Sequence, residues 1–143
     1  MTESARVLLI EDSPSDAKLV EFAVEELNWV DELEIAADGE SAIAYLEEKR
    51  SHPELAPHLI LLDLNMPRMN GFEVLDWLKA DQDFKLIPVV VLTTSSSPDD
   101  VNKAYQHAAS SYVTKPSDFS TFVDTLQTME EYWFRVSRLP STE

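Results

Sequence analysis

Leu59-Ile60-Leu61-Leu62-Asp63 is a run of four apolar residues that stops on a polar one, here a carboxylate, and the same plan occurs twice more in the chain. Val7-Leu8-Leu9-Ile10 stops on Glu11-Asp12, and Val89-Val90-Val91-Leu92 stops on Thr93-Thr94. These runs are continuous rather than alternating, the pattern of strands covered on both faces of a parallel sheet. Leu33 to Ala37 and Ser111 to Thr114 are weaker strand candidates, the second leading into Lys115-Pro116. Amphipathic segments lie between them. Ser13-Pro14-Ser15-Asp16 combines a cap, a proline at the first helical position and an acid in the first turn, and Leu19, Val20, Ala23, Val24 and Leu27 follow at helical spacing. Asp38-Gly39, Asn70-Gly71-Phe72-Glu73, Ser97-Pro98-Asp99-Asp100 and Ser117 open four more helices, the last with a stripe of Phe119, Phe122, Val123, Leu126, Met129 and Trp133.

Five repeats of strand then helix, joined by right-handed crossovers, predict an α/β fold: a doubly wound five-stranded parallel sheet in a three-layer sandwich. The chain of 143 residues fits a single domain, 1–143, with a core over 6–130 and residues 131–143 as a C-terminal extension. Residues 51–57 read as a loop and 137–143 as a frayed tail.

Charge narrows the function. Against 11 Lys+Arg stand 27 Asp+Glu, a net charge of −16, which repels phosphate backbones and anionic lipid while favouring divalent cations. No nucleic-acid partner and no membrane partner are therefore expected, and no apolar stretch approaches the roughly 20 residues of a membrane span. The absence of cysteine excludes disulfides and thiolate chemistry and suits a reducing cytoplasm, and the N-terminus shows no signal peptide. With only Gly39 and Gly71, glycine-rich phosphate cradles are ruled out.

In open parallel sheets, sites form beyond the carboxyl ends of the strands. Those positions here are Glu11, Asp12, Asp63, Thr93, Thr94, Lys115 and Pro116. Three converging carboxylates repel one another unless a cation neutralises them, and an all-oxygen set selects Mg²⁺ or a similar ion. A carboxylate between such an ion and a lysine can accept a phosphoryl group as an acyl phosphate.

Ile10-Glu11-Asp12, Leu62-Asp63-Leu64-Asn65-Met66-Pro67, Leu92-Thr93 and Tyr112-Val113-Thr114-Lys115-Pro116 resemble the receiver domain of two-component response regulators. The resemblance spans residues 6 to about 130 and implies the flavodoxin-like strand order 2-1-3-4-5, under which a chemotaxis receiver is a familiar example. It makes Asp63 the phosphoacceptor, places Mg²⁺ at Glu11, Asp12, Asp63 and the backbone carbonyl of Asn65, and assigns Thr93 and Lys115 to the phosphoryl oxygens. Glu11 stands where some members have Asp. Thr93 and Tyr112 resemble the family's coupled switch pair, and Lys115-Pro116 its cis peptide.

The resemblance implies a stand-alone switch phosphorylated by a sensor histidine kinase, with a phosphorelay intermediate, handing the group to a histidine phosphotransfer protein, as the alternative. It is not expected to be an enzyme beyond catalysing its own phosphotransfer and dephosphorylation. A phosphatase of similar fold would carry a second Asp two residues after the nucleophile, where this chain has Asn65. Thr93-Thr94-Ser95, Ser111-Tyr112 and Glu131-Tyr132-Trp133-Phe134 before Leu139-Pro140 are similar to response regulators of cyanobacterial phytochromes and bacteriophytochromes. A red-light-sensing phytochrome kinase is the partner this implies. The aromatic C-terminal segment suggests a homodimer through the last helix and tail. Asp16 and Asp38 read as helix caps or solvated charges, His52, His58 and His107 as unrelated to the site, and Trp29 and Trp77 as packing residues.

Overall fold

A computed structural model describes residues 5–27 and 30–136, so Trp29 and the tail from 137 lie outside the described residues. Five strands, β1 (Ala5–Ile10), β2 (Val30–Ala36), β3 (Leu59–Leu62), β4 (Val89–Thr93) and β5 (Ser111–Thr114), alternate with five helices: α1 (Pro14–Glu25), α2 (Gly39–Lys49), α3 (Gly71–Ala80), α4 (Pro98–Gln106) and α5 (Phe119–Glu130). The strands form one parallel sheet, as the residue pattern predicts, in the order β2-β1-β3-β4-β5 that the resemblance implies.

The continuous apolar runs feed two cores because successive strand residues face opposite sides. Leu8, Ile10, Ile60, Leu62, Val89 and Val91 pack with Leu46, Val74, Leu75, Leu78 and Ala104 of α2, α3 and α4. Val7, Leu9, Leu59, Leu61, Val90 and Leu92 pack on the other side with Val20 and Ala23 of α1 and Phe122, Leu126 and Met129 of α5. Each of these Val, Leu, Ile, Phe and Met side chains, fully buried, contributes about 1.5–3 kcal/mol of transfer free energy, and the alanines less.

The helix starts follow their capping chemistry. Ser13, Asp38, Asn70 and Ser97 cap α1 to α4, and Asn70 with Glu73 closes a reciprocal capping box. At α5 the cap is Asp118 rather than Ser117: its carboxylate accepts from both the backbone N–H and the hydroxyl of Thr121 at 2.7 and 2.9 Å, which a serine cannot match. Phe119, expected on the inward stripe, lies at the first position of α5 beyond the core and is exposed. The 51–57 loop contains one turn of 3-10 helix, Pro53–Leu55. The last helix continues as a π-helical segment, Glu131–Val136, whose Trp133 packs on the α1–α5 core while Tyr132 stays exposed.

At the amino edge of the sheet, β1 and β3 are cross-tied. The Arg6 N–H donates to His58 Nδ1 at 3.0 Å, His58 N–H donates to the Arg6 carbonyl at 2.8 Å, and the Arg6 guanidinium reaches the carbonyls of Ala56 and Glu54. His58 is thus a structural tie, as expected of a histidine outside the site. Trp77 stacks on Phe84 as a packing residue, its ring centroid 6.1 Å away. Among the described residues no helix is long and apolar enough to cross a membrane.

Candidate functional site

The sheet brings its chemistry to the carboxyl edge through backbone register. Glu11 N–H donates to Ala36 O at 3.0 Å, Asp63 N–H to Ile10 O at 3.0 Å and Lys115 N–H to Thr93 O at 2.7 Å, so each strand's last bond fixes a site residue to its neighbour. Carboxylate oxygens of Glu11, Asp12 and Asp63 lie within 4.8 Å of one another. Glu11 and Asp63 are buried, and Asp12 is half-buried.

This crowding has an electrostatic signature. Burial pushes the Glu11 carboxyl up to about 7, with Asp63 adding to the shift and hydrogen bonding and charge attraction from Lys115 opposing it. A divalent cation relieves that repulsion, and the donor set, three carboxylates without His or Cys, fits a hard ion. Asn65 lies exposed in the loop after β3, beside the cluster in sequence.

Lys115 Nζ donates to Glu11 Oε1 at 2.5 Å and to Asp16 Oδ2 at 2.8 Å, and its side chain is only 10% exposed. Burial alone would lower the lysine pKa, but hydrogen bonds to Asp16 and Glu11 outweigh it, and the net shift is upward. The other Glu11 oxygen, Oε2, accepts from Ser13 N–H at 3.3 Å. Asp16 is therefore neither a cap nor a solvated charge, as its sequence position suggested. Ser13 already caps α1, which leaves the Asp16 carboxylate free to meet a lysine 99 residues away. Asp38, by contrast, is the cap expected, bound to Ser41 N–H at 2.7 Å.

Thr93 is fully buried, and its Oγ1 has no hydrogen-bond partner. Tyr112 Oη donates to the Ser95 carbonyl at 2.8 Å, and Ser95 Oγ donates to Asp100 Oδ2 at 2.6 Å. Burial raises the Tyr112 phenol pKa, with the charges of Asp100 and Asp63 adding to it, so the ring stays neutral and able to donate. The Lys115–Pro116 bond is trans, contrary to the cis peptide the resemblance implied. Trans is the lower isomer of an X–Pro bond by about 0.5–1 kcal/mol, and the Lys115 contacts described here form with it in place.

Gly71 was legible only as a helix opener, yet it also shapes the site. A Cβ there would lie 2.6 Å from the Asp63 carbonyl and 2.7 Å from Leu64 Cα, so only glycine lets α3 start against the segment that follows Asp63. Its N–H donates to Leu64 O at 2.9 Å. In the same loop Arg68 takes a left-handed backbone, φ 63°, and pairs with Asp38 and Glu40 at 2.9 and 3.1 Å, tying the loop to α2. His107 lies away from the cluster, 2.6 Å from Asp76, and joins α4 to α3. His52 sits near Glu54 on the surface.

The family pattern of the response regulator receiver domain matches residues 7–127. The chain belongs to the response regulator receiver family. Its relatives include the response regulator Rcp1 of Synechocystis sp., 39% identical over 94% of this chain and 92% of that protein. The probable methanogenesis regulatory protein FilR2 of Methanothrix harundinacea is 38% identical over 94% of this chain and 86% of that one. Among solved structures, the phosphorylated cyanobacterial phytochrome response regulator RcpA superposes with a TM-score of 0.85 at 36% identity, covering 96% of this chain and 99% of that one. The Mn²⁺-bound form of Rcp1 gives 0.80 at 39% identity, covering 95% and 99%. The receiver thus shares the expected sheet order and, through these homologues, the expected kinship with phytochrome response regulators.

Proposed function

We propose that this receiver is a stand-alone response regulator that accepts a phosphoryl group from a sensor histidine kinase, of phytochrome type, onto Asp63 with Mg²⁺, and signals by a conformational switch. The observation that carries the reading is the cluster of Glu11, Asp12 and Asp63 oxygens within 4.8 Å, at the same edge as a largely covered lysine and an unpartnered threonine hydroxyl.

In the transfer, an Asp63 carboxylate oxygen attacks phosphorus, the phosphorus–nitrogen bond of phosphohistidine breaks, and the imidazole leaves with the bonding pair and takes up a proton. The product is an acyl phosphate on Asp63. Glu11, Asp12 and Asp63, with the Asn65 carbonyl, would hold Mg²⁺, which supplies charge neutralisation for the carboxylates and phosphoryl oxygens. Thr93 Oγ1, lacking another partner, donates to one phosphoryl oxygen, and Lys115 pairs with another. Water attack on phosphorus later breaks the phosphorus–oxygen bond to Asp63, releasing inorganic phosphate and restoring the carboxylate. The protein is on this reading a phosphoacceptor switch and no enzyme toward outside substrates.

The phytochrome pairing is supported by the likeness to RcpA and to a bacteriophytochrome response regulator, AtBRR, at 34% identity and a TM-score of 0.72 over 92% of this chain and 96% of that one. The reading entails a cytoplasmic protein without nucleic-acid or membrane partners. It includes a two-fold homodimer through α5 and the tail, favoured by the exposed Tyr132 and by an open groove of about 320 Å³ between β5 and α5.

Labelling with acetyl phosphate, with and without Mg²⁺, tests the core of the reading. Label is expected on Asp63, lost in Asp63→Asn and on chelation; unchanged labelling in either case overturns it. Transfer of the label to a histidine phosphotransfer protein, faster than hydrolysis, would identify a phosphorelay intermediate instead.

A further inference from the structure

We propose that Asp16 is a positioning residue that competes with the phosphoryl group for the Lys115 ammonium, so that its charge sets how tightly the site takes a phosphoryl group. The inference deepens the phosphorylation of Asp63 proposed above and rests on it.

Lys115 carries three N–H donors, and two are committed, to Glu11 and to Asp16. These two acceptors differ in kind. Glu11 belongs to the cluster of oxygens suited to a cation, so a bound ion draws on its charge and weakens its hold on the lysine. Asp16 stands outside that cluster, on the first turn of α1, so a bound ion would not take it as a ligand. Its side chain is 38% exposed, while the lysine it holds is 10% exposed. The bond is therefore reached by solvent from one side only and keeps more of its strength than a surface pair.

A phosphoryl group arriving at Asp63 needs the same ammonium. Asp16 competes for it, and the apparent affinity falls by the fraction of molecules in which Asp16 holds the lysine. The sequence places Asp16 for this role through Ser13 and Pro14, which start the helix directly after Glu11-Asp12 and so bring its first turn over the site.

The test compares the full chain with Asp16→Asn, which keeps shape and removes charge, and Asp16→Glu, which keeps charge. The probe is beryllofluoride with saturating Mg²⁺, its binding followed by fluorine NMR and calorimetry. Asp16→Asn is expected to bind it roughly 3–10-fold tighter than wild type, and Asp16→Glu to stay close to wild type. Mg²⁺ alone should bind Asp16→Asn no tighter, which separates the gain from a metal effect. Loss of helix stability would not raise affinity for an anion. Should Asp16→Asn fail to fold, Asp16→Ser carries the same comparison. Unchanged or weaker beryllofluoride binding in the charge-removing variant overturns the inference while leaving the phosphoacceptor reading intact. A wild-type protein that neither binds beryllofluoride nor takes label on Asp63 overturns both.

Discussion

The phenolic oxygen of Tyr112 sits 2.8 Å from the backbone carbonyl of Ser95 and donates to it, fastening a side chain of β5 across the loop between β4 and α4. Ser95 continues the chain of bonds, donating from Oγ to Asp100 at 2.6 Å and accepting from Ser97 N–H at 3.3 Å. Two residues before Ser95, the buried Thr93 hydroxyl holds no bond at all. A satisfied loop thus abuts an unsatisfied strand end, and a new acceptor at Asp63 would reverse that balance.

Thr93→Val is expected to stabilise the unphosphorylated protein by roughly 1 kcal/mol, because it replaces an unpaired buried hydroxyl with an isosteric methyl. The same variant should lose the response around Tyr112 when phosphorylated. Urea denaturation measures the first effect, and comparison of NMR shifts before and after phosphorylation measures the second. A clear loss of stability would mean that the hydroxyl has a partner already.

Tyr112→Phe should fold and cost about 1 kcal/mol, the net worth of one hydrogen bond. With the Ser95 carbonyl released, amide exchange across residues 94–97 should quicken, while amides of β1 and β3 keep their rates. Hydrogen-exchange mass spectrometry reads both regions in one experiment.

Gly71→Ala places a methyl 2.6 Å from the Asp63 carbonyl. Backbone cannot yield as a flexible side chain can, so a loss of about 1–3 kcal/mol is expected, with a drop in Asp63 labelling beyond what the unfolded fraction explains. Equal labelling per folded molecule would show that α3 adjusts without moving Asp63.

The stability of the metal-free protein should fall as pH rises from about 4.5 toward 7. Glu11 holds its proton more tightly folded, at about 7, than unfolded, near 4.5, so its contribution is complete below 4.5 and is lost as pH climbs through the folded value. Mg²⁺ should flatten that slope by stabilising the ionised cluster. Thermal melts across this range, with chelator and with Mg²⁺, check the sign; a rise in metal-free stability over the interval would contradict the burial of Glu11.

Truncation after Glu131 removes Trp133, which packs on the α1–α5 core, and the exposed Tyr132. Light scattering at several concentrations should show a dimer for the full chain and a monomer for the truncated one. A full-length monomer throughout, or a dimer indifferent to truncation, would end the tail-mediated contact.

The sheet and its site edge were legible because both rest on local rules: apolar runs that stop on polar residues, and caps such as Ser13 and Asn70 that announce helices. The triad of Glu11, Asp12 and Asp63 followed from that edge. Asp16 did not, because an acid in a helix's first turn has an ordinary local use, and only the tertiary fold brings Lys115 to it. The second role of Gly71 was hidden for a related reason, since a glycine at a helix start looks the same whether or not backbone lies against it. Trans geometry at Pro116 went against the resemblance, which speaks for the family rather than for this bond.

The knot of bonds between Arg6, His58, Ala56 and Glu54 gives the molecule a grain. With β1 and β3 bound together at the amino edge, they have little freedom to slide past each other, so on the proposed function a disturbance created at Asp63 would pass more readily sideways, through β4 to the loop held by Tyr112. The anchored edge would then act as a fixed reference against which the opposite edge rearranges. Cutting the tie, as in Arg6→Ala, would blur the signal by letting strain leak along the strands, even though the change lies at the far end of the sheet from every residue that carries the chemistry.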